Sequence, residues 1–179
     1  MVIAIGGPPG SGKTTIAKML AERLNLRHIS VGMLFRKIAE KRGVSLLELS
    51  KIAEQDPSID YELDSLARKE AERGGVVIDG HVSPWLLRDL AHLRVAIVAG
   101  IDTRIRRLAE RDRRPIDEVR HETLLREKME RDRFLRIYRI DISDYTDFHL
   151  IINSEKFTAN EIVEIIILAV KMIINKNKI

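Results

Sequence analysis

A doubly wound α/β fold, a five-stranded parallel sheet flanked by helices, is what this sequence predicts, and three observations predict it. Continuous apolar runs recur at residues 2–5, 76–78, 95–98 and 150–152, as suits strands buried on both faces. Segments with helical periodicity separate these runs. A glycine-rich loop follows the first run directly and opens the first helix.

Residues 7–15 read GPPGSGKTT. Gly7, Gly12, Lys13 and Thr14 fall at the spacing G-x-x-x-x-G-K-[ST], the phosphate-binding loop, so the fold expected is that of the P-loop NTPases. A loop that wraps a polyphosphate turns successive backbone N–H groups inward, and glycine tolerates the backbone angles and close approach this requires. Lys13 supplies a point charge for the β- and γ-phosphates, and the Thr14 hydroxyl is a ligand for the Mg²⁺ that bridges them. Pro8, Pro9, Gly10, Ser11 and Thr15 complete the cradle. Ile16, Leu20 and Leu24 then recur at helical spacing. Strand, loop and helix thus follow in the order that sets an anion on a helix N-terminus. A nucleoside triphosphate is the expected ligand.

A short second strand is expected at residues 28–30. Ser30-Val31-Gly32-Met33-Leu34-Phe35-Arg36 leads from it, with Ser30 and Arg36 flanking a short loop, into a helix that ends near Gly43. Ser45 opens another helix, with Glu48 as its capping-box partner. Pro57 starts a third, which runs to Gly74-Gly75. Three helices without an intervening strand interrupt the alternation, so residues 31–73 read as a helical insertion mounted on the sheet.

Alternation resumes with a strand at residues 76–80 that ends in Asp79 and Gly80. Trp85, Leu86, Leu87 and Leu90 suggest a short helix, followed by a fourth strand at 95–98. Residues 103–139 are helical and heavily charged, with Pro115 dividing them. A fifth strand at 150–153 and an apolar helix at 159–174 follow. With no repeat or linker, residues 1–179 read as one domain. Its core is 1–30, 74–101 and 142–179, its insertion about 31–73, and its arginine-rich segment about 102–141.

A chain of 179 residues has room for one sizeable core. Apolar content of 45% and charged content of 32% describe a globular chain rather than a disordered one. The absence of cysteine excludes disulfides, thiolate metal sites and cysteine nucleophiles, and fits a reducing compartment. No charged-then-apolar leader precedes the first strand. The most apolar stretch, 165–170, is far short of the ~20 residues a membrane span needs. A cytoplasmic location without membrane contact is therefore expected. The net charge of +4 suits an anionic ligand without naming one.

Residues 102–141 hold 12 of the 20 arginines but only one of the 11 lysines, Lys128. A solvated helical face has no use for that bias, since the two are similar helix formers. Arginine grips phosphate oxygens with a planar fork. Ten acids share the segment, so for any single arginine a solvated, ion-paired face competes with a functional role. As a cluster, the arginines predict a mobile lid over a triphosphate. Asp79 ends a buried strand, where an acid supports Mg²⁺ directly or through water, or else serves as a turn or cap. Arg36 reads either as a second phosphate holder or as a surface arginine. His81 reads as a phosphate donor, a base, or a polar loop residue.

Four stretches carry a resemblance: GGPPGSGKTT at 6–15, ISVGMLFR at 29–36, VVIDG at 76–80, and helix text ending in Glu130-Arg131-Asp132-Arg133 with Tyr138 and Ile140-Asp141 beyond. They resemble the nucleoside monophosphate kinases and, within them, the short archaeal-type cytidylate kinases. The likeness covers essentially the whole chain, and S-x-G-x-x-[LF]-R is its more specific motif. It implies a core, a monophosphate-binding insertion at about 31–73 and a short lid at about 102–141. The activity implied is Mg²⁺-dependent transfer of the ATP γ-phosphoryl group to CMP or dCMP, by a monomer. Residues 7–15 would bind ATP, and Ser30, Gly32, Arg36, Asp79 and Gly80 the acceptor nucleotide. Thr14 and Asp79 would serve the metal. Lys13, Arg131 and Arg133 would be catalytic, the two arginines reaching the phosphates from the lid. His81 stands where cytidylate kinases commonly carry an arginine, and Met33 replaces an aspartate frequent in the family.

Another acceptor, AMP, UMP or a small non-nucleotide alcohol, is the competing expectation within enzymes. Adenylate kinases usually follow D-G with F-P-R, a text missing here. From another class, a nucleotide-dependent RNA-binding protein would use the arginine-rich segment as its surface. RNA readers stack bases on aromatic rings, and only Phe134 and Tyr138 lie among these arginines, so nucleic acid is not the expected partner.

Overall fold

The computed structural model describes residues 1–176, so the last three residues of the expected core segment 142–179 lie outside the described residues. Strand β1 (Val2–Gly6) is buried along its whole length because it has strands on both sides. β3 (Val76–Asp79) pairs with it on one edge and β4 (Leu93–Val98) on the other, both parallel. β2 (Arg27–Ser30) lies outside β3 and β5 (Leu150–Asn153) outside β4, giving the all-parallel order β2-β3-β1-β4-β5.

Successive side chains of β1 serve opposite faces. Ile3 and Ile5 meet helix α1 (Lys13–Leu24) and helix α8 (Ala159–Lys176) through Ile16, Leu20, Ile162 and Ile166. Val2 and Ala4 meet Ala67 and Ala71 of α4 (Ser58–Glu72), together with Leu87 just past α5 (Ser83–Leu86). Between β2 and β3 run α2 (Val31–Arg42), α3 (Leu46–Gln55) and α4, around a small core of their own built on Ala39, Leu49, Ala53, Ile59 and Leu63. The Ser45–Glu48 capping box forms in both directions. No loop separates Ser30 from Arg36, contrary to the sequence expectation. Ser30 is both the last residue of β2 and the N-cap of α2, its Oγ accepting from Met33 N, and Arg36 already lies inside the helix.

The arginine-rich segment forms α6 (Ile101–Asp112) and α7 (Ile116–Tyr138), divided at Pro115. Ile105, Leu108 and Ala109 of α6 pack on Val119 of α7. The parallel register sets the carboxyl ends of β2, β3 and β1 level, with Asp79 paired to Ser30 on one side and Ile5 on the other. In open parallel sheets ligands gather at these ends.

Candidate active site

The phosphate loop takes its shape from backbone pressing on backbone. At Gly7, φ is 132° and an added Cβ would lie 2.0 Å from the Ile97 carbonyl oxygen. At Gly10, φ is 79° and a Cβ would lie 2.6 Å from the Arg104 carbonyl. Only glycine fits either place. Gly12 caps α1 without a side-chain acceptor, and the first turn of α1 carries no acid, so an external anion can take its free N–H groups. Arg104 and Arg107, read from sequence only as members of the arginine cluster, brace this loop from outside. Arg104 donates to Pro9 O at 3.1 Å and Ala99 O at 3.2 Å, and pairs with Glu127. Arg107 donates to Ser154 Oγ at 2.9 Å, and Ser154 Oγ donates to Ser11 O at 2.8 Å.

Asp79 is fully buried, and three side chains converge on it. Thr14 Oγ1 donates to Oδ1 at 2.8 Å, Ser30 Oγ donates to the same oxygen at 3.2 Å, and His28 Nε2 lies 2.8 Å from Oδ2. A carboxylate only accepts, so Nε2 carries the proton. The strand register explains the convergence, since Ser30 and Asp79 are direct neighbours across β2 and β3. One carboxylate thus ties the start of α1 to the cap of α2. His28 is a site residue that sequence reading left as ordinary strand text. Its only signal was a place two residues before Ser30, on the same side of β2.

A cavity of about 1040 Å³ opens in front of the loop and runs to α2, α4 and α7. The loop lines it from Pro9 to Thr15, and α2 contributes Gly32 and Arg36. Gly7, Pro8, Ser30, Asp79 and Gly80 do not line it, and the first four reach it through the residues they hold or connect. Arg111 and Arg126 join from α6 and α7. Burial lowers the Lys13 pKa, Arg36 and Arg111 lower it further, and Asp79 and Glu130 oppose them. Desolvation likewise lowers the Arg36 pKa, with Arg111 and Arg126 adding to the effect. Cations that depress one another in this way leave a place for a multivalent anion. Glu130 is buried, which alone would raise its pKa, yet His81 Nδ1 at 2.8 Å, with Arg126 and Arg133, brings it down to about 2.

The cytidylate kinase-like family matches residues 2–156 of the sequence. A cytidylate kinase of Staphylothermus marinus is 46% identical over 93% of this chain and 94% of its own. One from Aeropyrum pernix is 48% identical over 91% and 95%. The chain belongs to the cytidylate kinase-like family. A solved shikimate kinase from Acinetobacter baumannii, in complex with shikimate, superposes with a TM-score of 0.64 at 17% identity, covering 96% of this chain and 93% of its own. That likeness is one of fold, the P-loop kinase sheet and its helices.

In this cytidylate kinase-like chain the two arginines expected to be catalytic part company. Arg133 lines the cavity but sits in an ion pair with Asp60 of α4, Nε to Oδ2 at 2.8 Å. The Arg131 side chain is 58% exposed, 4.0 Å from Asp141, and outside the cavity lining. Helical geometry is the reason. Arg126, Glu130, Arg133 and Phe134 recur at i, i+4, i+7 and i+8 and share one face of α7, whereas Arg131 falls off that face. The same spacing in the sequence pointed to Arg126, which the motif match passed over. Trp85, the only tryptophan, packs against Tyr145 and Phe148 and donates from Nε1 to Asp144 O at 3.1 Å.

Thr14 and Asp79 together offer a hydroxyl and a carboxylate, the hard oxygen donors that Mg²⁺ prefers. Among the described residues no group of three or more metal-ligating side chains forms, so a cation here would complete its shell with phosphate oxygens and water. No helix among the described residues is long and apolar enough to cross a membrane.

Asp64 of α4 lines the cavity and accepts from the Tyr138 hydroxyl. Burial pushes its pKa up to about 6, with Asp60 adding repulsion, against the pull of Tyr138 and Arg133. A carboxyl raised in this way favours the fold below its unfolded value near 3.8, and that contribution is lost as pH rises through 6. Asp64→Asn should therefore gain about 1–3 kcal/mol relative to the parent between pH 4 and pH 7.5. Urea unfolding at the two pH values measures it. A parallel pH dependence in parent and variant would show that Asp64 titrates normally.

Proposed function

We propose that the protein transfers the ATP γ-phosphoryl group to CMP or dCMP, giving CDP or dCDP, with Mg²⁺ as cofactor. The observation that carries this reading is the group of cations, Lys13, Arg36, Arg111 and Arg126, around one cavity that joins the phosphate loop to the helical insertion. A single triphosphate needs only the loop. The further cations on α2, α6 and α7 suit a second phosphorylated ligand facing the first. The named relatives supply the acceptor, as both are cytidylate kinases.

On this reading residues 31–73 hold the acceptor and 102–141 act as the lid. ATP lies along residues 7–15, its phosphates on the free N–H groups of α1 and on Lys13. Arg36 holds the acceptor phosphate, and Ser30, Gly32, Asp79 and Gly80 shape the base of its site. Thr14 and Asp79 would hold a Mg²⁺ ion, which would offset the charge of the phosphates. The acceptor oxygen belongs to a phosphate whose second pKa is ~6, so it is largely ionised at neutral pH and needs no general base. The chain's work is to align two anions in line and spread their charge over fixed cations. Arg126 and Arg111 take the lid role that sequence reading gave to Arg131 and Arg133. Closure of α6 and α7 excludes water, which would otherwise accept the phosphoryl group. On this reading the protein works as a monomer in the cytoplasm, where its nucleotide substrates are found.

Coupled ADP release with CMP, dCMP, UMP, AMP and GMP in turn tests the reading. CMP or dCMP should give the highest kcat/KM, and a preference for AMP or UMP would overturn the acceptor assignment. Arg36→Ala should raise the acceptor KM by about 10-fold or more, a charge-assisted contact of ~1.5–3 kcal/mol, with the ATP KM nearly unchanged. Calorimetry showing weakened ATP and unchanged CMP would reverse the two subsites. Arg126→Lys keeps charge but loses the fork, and kcat should fall by about 10-fold, while Arg131→Lys changes it by less than about twofold. Equal effects at the two positions would remove the distinction between the faces of α7.

A further inference from the structure

Near its N-terminus α7 packs through Val119 on α6, and near its C-terminus through Phe134 on Val82 and Ile142. Between these apolar contacts two carboxylates, three residues apart, take different partners. Glu130 lines the cavity and meets His81 and Arg126. Glu127 does not line it and pairs instead with Arg104.

Arg104 stands in the first turn of α6, is 7% exposed and likewise lies outside the cavity lining. A charge buried this far is kept where its donors are used. Here they serve three separate elements. Nε donates to Ala99 O just past β4, at 3.2 Å. Nη1 donates to Pro9 O in the phosphate loop at 3.1 Å and also to Glu127 Oε1. Nη2 donates to Glu127 Oε2 at 3.3 Å, so the contact with α7 has two prongs. Backbone packing adds to the link, since a Cβ on Gly10 would lie 3.0 Å from the Arg104 Cα. The phosphate loop, the end of β4 and α7 thus meet at one guanidinium.

The neighbour of Glu127 gives this junction its use. Arg126 lines the cavity, with its Nη2 3.5 Å from Glu130 Oε1. Lys13 follows four residues after Pro9, at the start of α1. A short chain of contacts therefore connects the backbone that carries Lys13 to the backbone that carries Arg126. A shift of about 1 Å in such an arrangement can cost on the order of 100-fold in rate.

We propose that Arg104 and Glu127 are positioning residues for phosphoryl transfer, whose ion pair fixes α7 against the phosphate loop and so sets where the Arg126 guanidinium stands relative to Lys13. Neither touches a substrate. The inference rests on the reading above that Arg126 acts on the phosphates from the lid. The pair shapes the transition state more than the affinity for either nucleotide, because each nucleotide has a ground-state contact of its own, on Lys13 or Arg36.

Steady-state kinetics with ATP and CMP on the full chain, beside urea unfolding, tests this. Glu127→Gln keeps the size of the side chain and one acceptor for Arg104 but loses the charge and the second prong. Its kcat should fall about 5- to 10-fold, with both KM values within about twofold and the urea midpoint little changed. Arg104→Lys keeps the charge but cannot reach three elements at once, and should lower kcat by about 10-fold or more. If that variant does not fold, the cycle at Glu127 decides alone. In an Arg126→Ala background, Glu127→Gln should lower kcat by less than about twofold, because the group it positions is gone. A merely structural ion pair would lower kcat by the same factor in both backgrounds. Equal factors there, or a parental kcat in Glu127→Gln, overturn the inference and leave the proposed function standing. A parental kcat in Arg126→Ala alone overturns the lid reading, and this inference with it.

Discussion

Lys13→Ala is expected to lower kcat about 100- to 1,000-fold, ~2.7–4 kcal/mol of transition-state stabilisation, while the protein still folds. The side chain is no part of either sheet core, and its one hydrogen bond, Nζ to Pro8 O, is 3.3 Å long. Arg36 and Arg111 both depress its pKa, so its removal relieves repulsion among the cations. Stability should hold or rise slightly. The lost function is the point charge on the transferring group, which the free N–H groups of α1 cannot replace, because they reach the phosphates from one side only. Steady-state kinetics beside a urea titration separates the two effects. A variant that keeps more than about a tenth of the parental kcat would place Lys13 outside the reaction, since less than ~1.4 kcal/mol would then be at stake.

Asp79 should give the second large effect, and two substitutions divide it. Asp79→Ala removes the acceptor for Thr14 and Ser30 and the partner of His28, all at a fully buried position. Each stranded group costs about 1–3 kcal/mol, so a loss of about 3 kcal/mol or more in unfolding free energy is expected, with activity abolished. Asp79→Asn is nearly isosteric. Its oxygen still accepts from Thr14 and Ser30, and its amide can donate to a neutral His28 in the other tautomer. That variant should stay within about 1 kcal/mol of the parent in stability. With the charge gone, kcat should fall more than about 10-fold and the Mg²⁺ concentration for half-maximal rate should rise. An asparagine variant with parental kcat and Mg²⁺ dependence would confine Asp79 to scaffolding.

Local chemistry made most of the fold legible. The apolar runs became β1, β3, β4 and β5 in the expected parallel sheet, and β1 and β3, buried along their whole length, have almost no polar positions to spare, whereas the edge strand β5 leaves Ile151 exposed. Ser45 with Glu48, Pro115, and the glycines of the loop each act within a few residues of themselves, through a cap, a missing N–H or a positive φ. Such signals need no knowledge of what packs above them.

The sequence by itself determined the phosphate loop, the order of strands and helices along the chain and the existence of a three-helix insertion, because each depends on residues adjacent in sequence. Only the tertiary structure decided which charges meet. His28 and Asp79 are 51 residues apart, Asp60 and Arg133 are 73 apart, and Asp64 and Tyr138 are 74 apart. The order β2-β3-β1-β4-β5 brings the first pair together, and the packing of α7 beside the insertion brings the other two. The split between Arg131 and Arg133 has the same origin. An arginine's reach on a helix is set by which face turns inward, and that face is chosen by long-range packing of side chains whose partners no local pattern names.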